Sequence, residues 1–181
     1  MAKNSPLLAV CDRLTALKLL RWDELPDLEL YMDQVLSLVG RYLGAYPGYD
    51  KKGLTASMVN NYVKMGAMPP PEKKRYCRVH LAYLLMICVL KSTLSITAIR
   101  DMIAHELEGS TEQAVYDRFC EQFEREAEAA ADAHRAVAQE DALPICRAAL
   151  RAQAEQALAV TLAETLAEAP AKKPEKEKKE K

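Results

Sequence analysis

Apolar residues recur at steps of three and four along most of this chain, and the places where that rhythm breaks divide it into helices. Leu7, Val10, Leu14 and Leu17 form a first stripe, opened by Ser5 as N-cap and Pro6 at the first helical position. Trp22 to Pro26 interrupts it. Leu28, Met32, Val35, Val39 and Tyr42 then share one face of a helix expected over residues 27–43, ended by Gly44. Residues 46–53, with Tyr46-Pro47-Gly48-Tyr49 and Lys51-Lys52-Gly53, read as a loop. Thr55 and Gly66 bracket a short helix as N-cap and C-cap. Val59, Tyr62 and Val63 make its apolar face, and Ser57, Asn60, Asn61 and Lys64 make the other. Two adjacent asparagines inside a helix cost a few tenths of a kcal/mol each relative to alanine, a cost tolerated more readily where the amides are used.

Pro69, Pro70 and Pro71 follow, a stiff extended stretch without backbone donors. Lys73, Lys74 and Arg75 come next, and then a helix over 78–93 that is apolar nearly all round. Such a helix predicts the buried centre of the fold. Ser95 caps another helix, with Ile96, Ile99, Met102 and Ile103 inward, and Gly109 ends that unit. Ser110 to Gln113 has the spacing of a capping box. It opens a long helix to about residue 139, anchored by Val115, Phe119 and Phe123. Asp141 and Pro144 mark a turn or kink. A second Ala/Leu/Glu helix runs to about residue 168 on the stripe Leu150, Ala154, Leu158, Leu162 and Leu166. Alanine-rich stripes bury little area, so residues 110–168 need a partner, either each other or another protomer. The Lys/Glu tail, residues 169–181, has the composition of a disordered segment.

Charge sharpens this division. The net charge of -1 conceals +6 over residues 51–78 and -9 over residues 106–168. The first segment attracts phosphate and the second repels it. The five cysteines (11, 77, 88, 120, 146) are widely spaced without metal-ligand spacing, so they read as reduced, buried or inert thiols. The apolar run from Leu7 to Cys11 is too short for a signal peptide, and Leu81 to Leu90 is about half a membrane span. These features point to a cytoplasmic protein with no membrane association. His80 and His105 read as surface or capping residues, since no partner sits at helical spacing. No Gly-rich phosphate loop, nucleophile–base pair or metal motif is present, so the chain is expected to be no enzyme, with no catalytic residues, metal or cofactor.

Polar helix, stiff turn, cationic loop and buried helix form the layout of a winged helix-turn-helix. The residues from Thr55 to Leu81 resemble the MerR type of that domain, with Tyr62, Gly66, Met68, Pro69, Pro70, Arg75, Tyr76 and Leu81 in register. Where that family usually carries arginines in its recognition helix, this chain has Ser57 and Asn60. More closely, residues 24–35 together with residues 58–76 are similar to a bacterial domain-of-unknown-function family, the one numbered eighteen thirty-six. The expected architecture is therefore all-α. An N-terminal helix (1–21) precedes a MerR-like domain (22–107), a helical region (110–168) that dimerises, and the tail.

The functional expectation is a bacterial DNA-binding transcriptional regulator. The recognition helix 55–66 would enter the major groove and the basic wing 72–76 would lie on phosphates. Asn60 and Asn61 suit adenine, and Lys64 suits guanine or phosphate. Lys73, Lys74 and Arg75 would clamp the backbone. Ser57, Tyr62 and Tyr76 complete the expected DNA-contact set, Tyr62 by resemblance, although its spacing also fits the core. Neutralising about five phosphates per protomer predicts a log-log salt slope of roughly -4 to -5, so a homodimer through residues 111–168 would be needed for tight binding to double-stranded DNA. The alternative is a protein-interaction module that kept the fold without DNA binding.

Overall fold

The computed structural model describes residues 6–44, 53–136 and 143–168. Among these, seven α-helices are present: α1 (Pro6–Thr15), α2 (Met32–Leu43), α3 (Ala56–Lys64), α4 (Arg78–Leu90), α5 (Ile96–Glu106), α6 (Glu112–Arg135) and α7 (Pro144–Glu168), with a 3-10 turn at Trp22–Glu24. Two isolated antiparallel bridges, Leu30 with Tyr76 and Glu72 with Arg75, are the extended pairings among the described residues. The all-α expectation holds. The expected Ser5 cap, residues 46–52 of the loop, Asp141 and the tail fall outside the described residues.

α4 is the hub, as its unbroken apolar run dictates. Leu81, Leu84, Leu85 and Ile87 are fully buried, and α2, α5 and α6 pack around the helix. α3 leans on α2, and α7 on α5. α6 joins the same core through Tyr116 and Cys120, and α1 runs along it. Polar bonds fix that seam. Tyr116 Oη donates to the Leu20 carbonyl at 2.8 Å, and the Trp22 amide donates to Asp117 Oδ1 at 2.9 Å. Glu124 receives both Lys18 (2.9 Å) and Arg21 (3.0 Å).

Several boundaries differ from the sequence reading. α2 starts at Met32 rather than at residue 27, because Leu30 exchanges both backbone bonds with Tyr76 (2.8 and 2.9 Å) and is thereby held extended. Gln34 Oε1 then accepts from the Tyr31 amide at 2.8 Å and caps the helix. Leu28, placed on the inward stripe, is 55% exposed as a result. In α1, Cys11 is buried and Val10 points outward. α4 stops at Leu90, where a turn takes over: the amides of Thr93 and Leu94 both bond to its carbonyl.

Candidate nucleic-acid interface

α3 is bounded by chemistry that its sequence announces. Thr55 Oγ1 accepts from the Met58 amide at 3.3 Å. At the other end Gly66 takes φ +70°, and the amides of Gly66 and Ala67 bond back to the carbonyls of Val63 and Tyr62 at 3.0 and 2.9 Å. This pair of bonds is a Schellman closure, which needs a left-handed residue and so favours glycine. Ala67 and Met68 are buried directly after it. The chain leaves α3 in a fixed direction and enters the prolines.

Ser57, Asn60, Asn61 and Lys64 are exposed on α3. The Asn61 amide lies 3.3 Å from Met65 Sδ, one turn on. Tyr62 and Tyr76, both included in the expected contact set, are each 3% exposed. Their rings belong to the core, where the apolar spacing of α3 also puts Tyr62. What they contribute is rigidity beneath the surface residues.

The basic segment is a tight two-residue turn. The Arg75 amide donates to the Glu72 carbonyl at 2.7 Å, and Lys73 and Lys74 between them have φ +46° and +64°. Positive φ at both central residues defines a type I′ turn, a geometry normally given to Asn-Gly. Lys73 and Lys74 are exposed at the tip. The Arg75 guanidinium sits 3.8 Å from the centroid of the Tyr31 ring, a cation–π stack that holds it flat. A surface cleft of about 460 Å³ is lined by Tyr31, Lys73, Lys74 and Arg75 together with Glu29 and Glu72. The two carboxylates temper the positive field there. Glu29 and Tyr31 escaped the sequence reading because only the Leu30–Tyr76 pairing brings them to the turn.

His80 is the second residue the sequence undervalued. It is 5% exposed, not on the surface, though it does act as a cap. Its Nδ1 accepts from the Cys77 amide at 3.0 Å, so the proton lies on Nε2, which reaches the Pro70 carbonyl at 3.3 Å. One imidazole thus ties the proline strand to the start of α4. Its spacing from Cys77, three residues, was the available signal. His105 is exposed.

A family model described as "Domain of unknown function (DUF1836)" matches residues 20–122, more than half of the chain. The chain belongs to the DUF1836 family. The DUF1836 segment takes in α2 to α5, the Lys73-Lys74 turn and the part of α6 that carries Tyr116 and Cys120, and it leaves out α1 and α7. Most of the core and all of the candidate interface lie within the matched residues. No curated protein and no solved structure matches the chain. Among the described residues no group of three or more His, Cys, Asp or Glu is placed to hold a metal ion, and no helix is long and apolar enough to cross a membrane.

Proposed function

We propose that this protein is a DNA-binding transcriptional regulator whose residues 22–107 form a MerR-like winged helix-turn-helix, paired as a homodimer through residues 111–168. The observation that supports it best is the Lys73-Lys74 turn. Two exposed cations stand at the tip of a short hairpin anchored by Tyr76 and His80. Nine residues away, within roughly 30 Å by chain length, Lys64 closes a capped helix whose outward side chains are Ser57, Asn60 and Asn61. α3 enters the major groove, where Asn60 and Asn61 read base edges, and the turn lies on the adjoining phosphates. Arg75, held against Tyr31, fixes the turn and adds charge behind it.

The test is fluorescence anisotropy with labelled duplexes from the gene's own promoter region, across a salt series. Lys73→Glu with Lys74→Glu should abolish binding to every sequence, and neutralising the pair instead should flatten the log-log salt slope by about 2. Asn60→Ala should spare non-specific binding and erase about 1–3 kcal/mol of discrimination at one base pair. Absence of binding at low salt would end the regulator reading. It would leave the protein-interaction module, which the carboxylates of Glu29 and Glu72 beside the turn favour.

A further inference from the structure

Cys77, expected from the sequence to be buried or inert, is exposed. Tyr76 before it pairs with Leu30, and Cys77 itself is extended, with φ -108° and ψ -176°. Successive side chains of an extended segment point to opposite faces. Tyr76 is buried in the core. Arg75 and Cys77 therefore share the outward face, about 7 Å apart along the backbone. Cys77 is also the N-cap of α4, and its Sγ lies 3.2 Å from His80 Nδ1.

His80 is held to that contact from three sides. Its Nδ1 accepts from the Cys77 amide at 3.0 Å, its Nε2 reaches the Pro70 carbonyl at 3.3 Å, and its ring meets the Tyr76 ring edge-on, centroids 5.3 Å apart. An exposed sulfur, a basic nitrogen within hydrogen-bond reach and a third group that orients the base make the constellation of an activated nucleophile. A spacing of three residues on one helix turn carried no such signature in the sequence. Cys88 and Cys120 are buried, and Cys146, the other exposed thiol, gives an internal comparison.

We propose that Cys77 and His80 form a reactive thiol site that takes up anionic low-molecular-weight disulfides. His80 Nδ1 accepts the thiol proton while Sγ attacks one sulfur of the reagent. A new S–S bond to Cys77 forms, the reagent's own S–S bond breaks, and the departing thiolate takes the proton back from the imidazolium. Cys77 is thereby oxidised to a mixed disulfide, and half of the reagent leaves reduced, as a free thiol. The N-terminus of α4 faces the negative charge that develops on the sulfur during attack. Arg78 is shared with Asp23 and Asp27. That leaves Lys73, Lys74 and Arg75, against Glu29 and Glu72, to favour an anionic reagent over a cationic one. The site goes beyond the regulator reading, since it works without DNA.

Stopped-flow absorbance with dithiobis(nitrobenzoate), an anionic disulfide, tests this on the full chain. Cys146→Ser keeps Cys77 as the exposed thiol, and Cys77→Ser keeps Cys146. The first protein should react at least about tenfold faster than the second, and peptide mass spectrometry should place its adduct on Cys77. In the Cys146→Ser background, His80→Gln retains a side chain able to cap the Cys77 amide but no base. It should slow the reaction about tenfold or more with helicity and thermal midpoint kept. Arg75→Gln should slow this reagent several-fold and leave the rate with cystamine, a cationic disulfide, unchanged. Equal rates for the two single-thiol proteins would overturn the site, and so would a folded His80→Gln protein that reacts at full speed. Should His80→Gln not fold, the comparison of Cys77 with Cys146 decides alone. Equal slowing of both reagents by Arg75→Gln would overturn the preference for anions.

Discussion

Lys73 and Lys74 occupy a backbone region that lysine avoids. Each left-handed non-glycine residue costs on the order of 1 kcal/mol, and here two stand in sequence at the tip of the turn. Asn-Gly would make the same turn without that cost. The sequence therefore trades stability for charge at one point, as a binding tip would. Lys73→Asn with Lys74→Gly should raise the unfolding free energy by about 1 kcal/mol. Under the proposed regulator function, the same change should weaken DNA binding at least about tenfold, since it removes two charges assigned to phosphates. Urea unfolding and anisotropy on one preparation read both. A double variant no more stable than wild type would mean that the surroundings, not the lysines, set the turn. The basic run was legible in the sequence. Its geometry was not, because lysines carry no turn signature and the hairpin is held by the distant Leu30 and by Pro70 through His80.

Helix ends were legible where a capping residue makes them and illegible where a distant strand does. Thr55, Ser95 and Thr111 each accept from an amide three residues on, as the sequence implies for the first two. The capping box expected at Ser110 is shifted by one, with Thr111 as the cap. The start of α2 was missed because Leu30 answers to Tyr76 rather than to its neighbours. The facing of α7 stayed open in the sequence, and the structure divides its stripe, with Leu150, Leu158 and Leu162 exposed and Leu166 half-buried. A leucine stripe says that a helix has a partner but not that the partner lies in the same chain. The α3 end permits a direct check. A Cβ on Gly66 would meet only Arg100 Cδ at 3.8 Å, an ordinary contact, so the whole penalty of Gly66→Ala lies in φ +70°. The substitution should destabilise by about 1 kcal/mol, and Gly66→Asn by less, since asparagine tolerates the left-handed region. Equal losses for the two in urea unfolding would argue that space, not backbone conformation, selects glycine there.

At the scale of the molecule, one core runs from α2 through α4 to α6, and its centre was readable from the apolar run of α4. The share of α6 was readable in part: Val115, Phe119 and Phe123 pack inward as expected, whereas Tyr116 and Cys120 stand among acidic residues and are drawn inward by α1 and the Trp22 turn. That core gives the protein an alkaline limit. Burial lifts the Cys88 thiol from its ordinary 9.0 to about 11, against a smaller opposing pull from Lys91. Burial also lifts Cys120 to about 11, with the neighbouring Tyr116 hydroxyl pulling the other way, and pushes the Tyr116 phenol upward. Each group is neutral when folded, and the unfolded chain releases its protons first. The unfolded state therefore binds fewer protons above pH 9, and stability falls as pH rises from 9 to 11. Below pH 9 these groups impose no penalty. For Cys88 the loss should approach about 2 kcal/mol at the upper end. Cys88→Ala leaves a small cavity and should cost about 1 kcal/mol at pH 8, but its stability should decline less steeply between pH 9 and 11. Urea midpoints for both proteins at unit pH steps decide it. Parallel declines would place the alkaline sensitivity in surface lysines and tyrosines rather than in the buried thiol.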